Sequence, residues 1–262
     1  SRTMSLPPSE IPLGAVRFNS DSQKLEYWMG SAWMQIQTFS PNLEGGARGV
    51  FFFGFDDSNN PKVVDFITIP TQGNAIDFGD MTGNATFYGG AFSSNIRGVY
   101  FGGAPGGGRN EIQFITFSST GDSQDFGDLT GTIQYNPVGV SNQTRGVRCG
   151  GSTAPTGSFN VLDFVTIATE GNAVDFGDME RKRRFATSYN SSTRGFVTGG
   201  GDGGTLHSDT EFITIHTTGN STTFGSLSNS LQNANNGVVC SSTRGLISGG
   251  SFPSAVKTIK KF

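Results

Sequence analysis

Apolar residues along this chain come in short clusters bounded by Gly, Ser, Asn or Thr, and the clusters return at a fixed interval. Arg-Gly opens one cluster at Arg48, Arg97, Arg145, Arg194 and Arg244, with spacings of 49, 48, 49 and 50 residues. The five read RGVFFFGF, RGVYFGG, RGVRCGG, RGFVTGG and RGLISGG, so four of them reach a Gly pair. A variable polar loop leads to DFITI (65–69), QFITF (113–117), DFVTI (163–167) or EFITI (211–215). A turn of the type T-x-G-N follows, then IDFGDM (76–81), QDFGDL (124–129), VDFGDM (174–179) or TTFGSL (222–227). Phe-Ile-Thr-Ile is aromatic and β-branched, the composition of a strand. It places Phe66 and Thr68 on one face and Ile67 and Ile69 on the other. A strand apolar on both faces asks for cover on both, which a sheet stacked between two others receives and a lone hairpin does not. The Gly pairs mark strand ends where backbones approach, and the turns and Phe-Gly corners supply positions that tolerate positive φ. No window carries an apolar stripe of 3.6-residue period, so helix is expected to be nearly absent.

Repetition decides the architecture. A unit of this length with four short strands is a propeller blade; a β-helix rung needs fewer residues. The expected fold is all-β: a five-bladed β-propeller with four-stranded blades over residues 41–262. In the last repeat, residues 256–262 stand where FITI stands, which leaves that blade without its outermost strand. Trp33 precedes Arg48 by 15 residues, against 19, 19, 18 and 20 for Phe78, Phe126, Phe176 and Phe224 before the next Arg. Residues 32–37 are therefore expected to pair beside 256–261, closing the ring and removing exposed edges.

Composition adjusts this picture little. The 262 residues include 39 Gly, and hydrophobic side chains make up 34%, so a core can form, though much of the non-polar content has no side chain. Charged residues are 15%, below the roughly 25% of ordinary domains. The net charge of −3 steers the chain to neither nucleic acid nor an anionic membrane. No segment is apolar for long enough to insert in a membrane, and residues 1–14 lack the apolar core of a signal peptide. Cys149 and Cys240 sit in different repeats and read as free thiols or, in the alternative, one bridge.

The repeats resemble kelch repeats. Val99-Tyr100-Phe101-Gly102-Gly103, Ile112 to Phe117, Phe126 and Leu129 form one match; Gly199-Gly200, Phe212 to Ile215, Gly219-Asn220, Phe224 and Leu227 form another. Phe78, Phe126, Phe176 and Phe224 stand where kelch repeats usually carry Trp, and the first repeat has Gly54-Phe55 in place of Gly-Gly. A second resemblance covers the N-terminal segment. GAVRFN (14–19), KLEYW (24–28) and GSAW (30–33) are similar to a short module of tail-fibre and other virion proteins of tailed bacteriophages. It implies an extended arm at 1–13, where Pro7 and Pro8 discourage regular structure, and a β-hairpin with the closing strand at 14–40. It also implies a virion protein, receptor-binding in a tail fibre or decorating a capsid. The arm would contact other virion proteins and could assemble a homo-oligomer. A secreted, lectin-like kelch protein and a purely structural spacer are the alternatives.

Motifs that look catalytic do not hold together. Asp-Phe-Gly occurs three times at the repeat spacing, with neither the catalytic loop nor the strand lysine of a kinase. GGAPGGG (102–108) and GGGDGG (199–204) lack the Gly-Lys-Ser/Thr and helix of a phosphate loop. His207 and His216 have no metal-ligand partners at useful spacing. The chain is therefore expected to be no enzyme and to carry no cofactor or metal. Arg48, Arg97, Arg145, Arg194 and Arg244 have two readings: an anion ring about an axis, or a repeated structural group that pairs with a DFGD aspartate or caps carbonyls between blades. Arg181, Lys182, Arg183 and Arg184 occur in one repeat only, as a solvated loop or a contact with an acidic neighbour or glycan. Two variable loop families, after the Gly pairs and after the Phe-Gly corners, are each expected on their own face, where binding residues concentrate. The candidates are Asp56, Asp57, Asn59, Asn60, Arg109, Asn110, Phe159, Asn160, Asp202 and His207, with the basic run, facing host-surface glycan or a protein.

Overall fold

The computed structural model describes residues 11–20, 24–36, 48–52, 62–83, 87–104, 108–154, 157–230, 237–241, 244–248 and 259–261. Two compact units divide the chain, Ser1–Asn42 and Leu43–Phe262. Among the described residues there are strands, bridges and turns but no helix.

The first unit is a three-stranded antiparallel sheet of β1 (Val16–Asn19), β2 (Lys24–Trp28) and β3 (Trp33–Gln35). Trp28 and Trp33 face each other with ring centroids 5.4 Å apart, and the Arg17 guanidinium lies 4.1 Å from the Trp33 ring. Asn19 and Arg17 hydrogen-bond the buried Glu26 and hold its carboxyl below the usual range. β3 pairs with β2; the expected pairing of residues 32–37 with 256–261 falls partly outside the described residues. The tight turn through Gly30 (φ +96°) brings the two Trp-bearing strands together locally.

The second unit is a row of antiparallel sheets in chain order. The first holds β4 (Arg48–Phe52), β5 (Val63–Thr68) and β6 (Ile76–Asp80). The second holds β7 (Gly90–Ser93), β8 (Arg97–Phe101), β9 (Arg109–Thr116) and β10 (Gln124–Ile133). The third holds β11 (Val138–Ser141), β12 (Arg145–Cys149), β15 (Val161–Thr166) and β16 (Val174–Asp178), with β13 (Ser152–Ala154) and β14 (Gly157–Ser158) as a small side hairpin. The fourth holds β17 (Thr187–Asn190), β18 (Arg194–Thr198), β19 (Asp209–Thr214) and β20 (Thr222–Ser226). The fifth holds β21 (Gly237–Cys240), β22 (Gly245–Ser248) and β23 (Ile259–Lys261). Each repeat is thus one sheet, and β23 pairs with β22 where the FITI strands pair in the other repeats.

The core lies between sheets. Val64, Phe66, Phe78 and Met81 of the first sheet meet Tyr100 and Ile115 of the second. The second sheet packs through Phe101, Phe126 and Ile133 on Val165 and Ile167 of the third. Val140, Val147 and Phe176 of the third pack on Val197, Ile213 and Ile215 of the fourth. Tyr189 and Leu227 of the fourth meet Ile247 of the fifth. Two-sided cover is complete in the middle of the row, where Val165 and Ile167 are buried. It fails in the first sheet, where Ile69 is 64% exposed. Consecutive first strands are stitched directly. The Ser141 hydroxyl donates to the Ser93 carbonyl, the Ser188 hydroxyl to the Gly139 carbonyl, and the Cys240 thiol to the Asn190 carbonyl.

Candidate functional site

The repeated polar residues are absorbed by a lock between neighbouring sheets. The Phe-Gly-Asp corner of one sheet receives the T-x-G turn of the next. Gly121 N–H donates to the Phe78 carbonyl at 2.7 Å, Gly171 to Phe126 at 2.7 Å and Gly219 to Phe176 at 2.8 Å. The amides of Asp80, Asp128 and Asp178 donate back, each at 3.0 Å, to the side-chain Oδ1 of Asp122, Asn172 and Asn220. The corner glycines take φ of +140° to +144°, and a Cβ there would stand 2.5–2.7 Å from the backbone of the facing turn. That close approach is why Phe-Gly recurs with the turn.

A second pin sits beside each lock. Gln113, Asp163 and Glu211 are buried on the FITI-type strands and reach back to the residue after the preceding corner. Gln113 accepts from Ser123, whose oxygen accepts Thr82 N–H; Asp163 accepts Thr130 N–H, and Glu211 accepts Glu180 N–H. A guanidinium neutralises each buried acid: Arg148 lies 2.6 Å from Asp163, and Arg183 pairs with both Glu211 and Asp209.

The recurrent arginines are also placed between sheets. Arg48, Arg97, Arg145 and Arg194 lie 4.2–4.7 Å from the rings of Phe66, Phe114, Phe164 and Phe212. Arg48 donates to the carbonyl of Phe117, Arg97 to that of Ile167 at 3.0 Å and Arg145 to that of Ile215 at 3.1 Å, each in the next sheet. Pairing with a DFGD aspartate does not occur among the described residues. Phe78, Phe126 and Phe176 are buried and meet Phe66, Phe114 and Phe164 edge-on. Phe224, expected to match them, is 48% exposed. It borders a cavity of about 460 Å³ between the fourth and fifth sheets, with Arg194, Phe196 and Arg244 on its wall.

Several candidate binding residues are buried or structural. Arg183, read as part of a solvated basic loop, is fully buried, because the acids Asp209 and Glu211 draw it inward. Arg181 and Lys182 are exposed, and Arg181 lies 3.5 Å from Asp209. Arg184 is half-buried, 5.3 Å from the ring of Phe185. His207 is only 6% exposed; burial, then the charge of Arg183, lowers its pKa. Arg109 and Asn110 belong to β9 and not to a loop. Phe159 packs against the core between the second and third sheets. The Asn160 amide donates to the Met179 carbonyl, and Asp202 caps the amides of Gly204 and Thr205 in its own turn. Asp56, Asp57, Asn59 and Asn60 lie outside the described residues, as do residues 1–10 of the arm.

The two loop families were expected on separate faces, and this is corrected. Isolated bridges join Phe87 to Ala104, Tyr135 to Ser152 and Arg184 to Gly201. Each links a segment after a Phe-Gly corner to one after a Gly pair, so both families share one end of the strands. The physical reason is antiparallel order: the second strand of a sheet ends where the first begins. The opposite end carries only short turns.

At the loop end stand residues the motif reading passed over. Tyr88, Asn136 and Phe185 have φ of +64°, +39° and +53° and are the non-Gly residues with positive φ among those described. Each lies just before the first strand of its sheet, at the repeat spacing. That spacing was the available signal, but an irregular loop gives no hydrophobic period to reveal it. No group of His, Cys, Asp and Glu among the described residues could hold a metal ion, and no helix is long and apolar enough to cross a membrane.

No family model matches the chain, and no curated protein matches it. Among solved structures it is similar to one described as "Structure of YjhT", with a TM-score of 0.60 at 9% identity. The match covers 72% of this chain and 66%, just under two thirds, of that one. At that identity the likeness bears on the all-β fold alone.

Proposed function

We propose that the row of sheets is arranged radially as a five-bladed, kelch-like propeller and that the protein is a non-enzymatic component of a bacteriophage virion surface. In this reading residues 1–13 contact neighbouring virion proteins. The loop end of the sheets faces outward, to a host-surface glycan or an adjoining virion protein, in a tail fibre or as a capsid decoration. One observation carries the reading: the bridges that gather both variable loop families at one end, above a body whose repeated charged groups are spent on sheet-to-sheet bonding. Such a body holds loops rigidly, which is what recognition requires. The similarity of residues 14–33 to a phage virion module supplies the setting.

The test is immunogold labelling of purified particles of a phage carrying this coding sequence, with antibody raised against residues 41–262. Regular labelling at the tail or capsid is expected. Particles that lack the chain by both labelling and mass spectrometry would remove the proposal.

A further inference from the structure

A cavity of about 310 Å³ opens among the first strands of successive sheets, lined by Gly89, Gly90, Asn136, Ala186, Thr187 and Ser188, among others. Its size is at the lower end of small-ligand sites, roughly 300 Å³. No charged side chain lines it. Asn136 is 95% buried by residue (5% exposed), yet among the described residues its amide makes no side-chain hydrogen bond. An amide carries both donors and an acceptor, and Asn136 brings them to this wall. The Ser188 hydroxyl donates to the Gly139 carbonyl at 2.9 Å and keeps its lone pairs to accept.

Tyr88 stands next to the lining residue Gly89. Its ring is braced by Phe87 at 4.9 Å and by Tyr135 at 5.7 Å, and half of the residue is exposed. The Tyr88 carbonyl accepts the backbone N–H of Asn136 at 2.8 Å, which ties the two backbones together. Both residues hold a left-handed backbone that glycine would adopt without strain, in a chain with 39 glycines.

We propose that this cavity binds a neutral saccharide, with one sugar ring stacked on Tyr88 and its hydroxyls bonded to Asn136 and to the Thr187 and Ser188 hydroxyls. The inference rests on the glycan-contact reading above and names its site. A half-exposed tyrosine one residue from the lining, beside uncharged donors and acceptors, suits a polyol ring; a charged peptide or phosphate would meet no counter-charge.

The experiment is titration calorimetry and saturation-transfer NMR of the full chain against maltohexaose, cellohexaose, chitotetraose and mannotriose. At least one is expected to bind with saturation at the Tyr88 ring. Tyr88→Gly and Asn136→Gly should each weaken it by about tenfold or more, while Tyr88→Trp retains it. Neither glycine variant should lower the melting temperature, because each relaxes the backbone. Absence of binding to all four, binding indifferent to both glycine variants, or a sharp fall in melting temperature would overturn the site. Particle labelling would stand or fall separately.

Discussion

Replacing Gly127 by Ala tests the lock between the second and third sheets. The added Cβ would lie 2.6 Å from the carbonyl carbon and oxygen of Gly171 and 2.9 Å from the Asn172 nitrogen. All three are backbone atoms, so no side chain can swing aside. The residue would also be held at φ +140°, a strain of about 1–3 kcal/mol. Separating the strands weakens Gly171 N–H to Phe126 O and Ala173 N–H to Asp128 O, both 2.7 Å, at about 1 kcal/mol each. The expected loss is about 3–5 kcal/mol, near the top of the range for single substitutions. At a slope of roughly 3 kcal/mol per molar urea, the midpoint should fall by about 1–1.7 M. Gly225 provides an internal control. It occupies the same corner in the fourth sheet, without positive φ and with nothing within 4 Å of a built Cβ. Gly225→Ala should stay within about 0.5 kcal/mol of the parent. Equal midpoints for the two variants would refute the lock as the reason Phe-Gly recurs.

Arg183→Met should destabilise by about 3–5 kcal/mol, because it strands the buried Glu211 carboxylate, and adding Glu211→Gln should recover part of the loss. Denaturant midpoints decide this; an effect no larger than that of Arg181→Ala, at an exposed residue, would contradict it. Iodoacetamide at pH 8 should label Cys240, which is exposed, and spare Cys149, whose thiol burial pushes up to about 12, until the protein unfolds. Mass spectrometry of native and denatured samples reads the result. His207 has a folded pKa below its unfolded value of about 6.5. Its contribution to stability is full above that pH and declines as pH falls, since the unfolded chain then takes up the proton more readily. Midpoints at pH 7.5 and 5.0 should therefore differ less in His207→Gln than in the parent.

The strands were legible because their signal is periodic. All four FITI-type segments and the Arg-Gly segments became paired strands, since β-branched residues repeated at one spacing leave little choice. The register between sheets was not legible, although its residues were conspicuous. The DFGD aspartates looked like partners for arginine; instead their backbone amides are what the next turn binds, a role that side-chain identity does not announce. Arg183 misled because a basic run reads as solvated, while its acids, Asp209 and Glu211, lie in a different segment. The paired loop families follow from strand direction, which the hairpin order along the chain already carries.

The lock is directional, a corner on one sheet and a turn on the next, so a row of sheets has unlike ends. Among the described residues the turn holding Gly73 and Asn74 in the first sheet meets no corner, while the corner at Gly225 stands one sheet in from the other end of the row. The turn of one copy is complementary in kind to the corners of another. Head-to-tail contacts of this sort either curl back upon themselves or propagate from molecule to molecule. Damage that prevents the first outcome should favour the second, giving orderly filaments in place of amorphous precipitate.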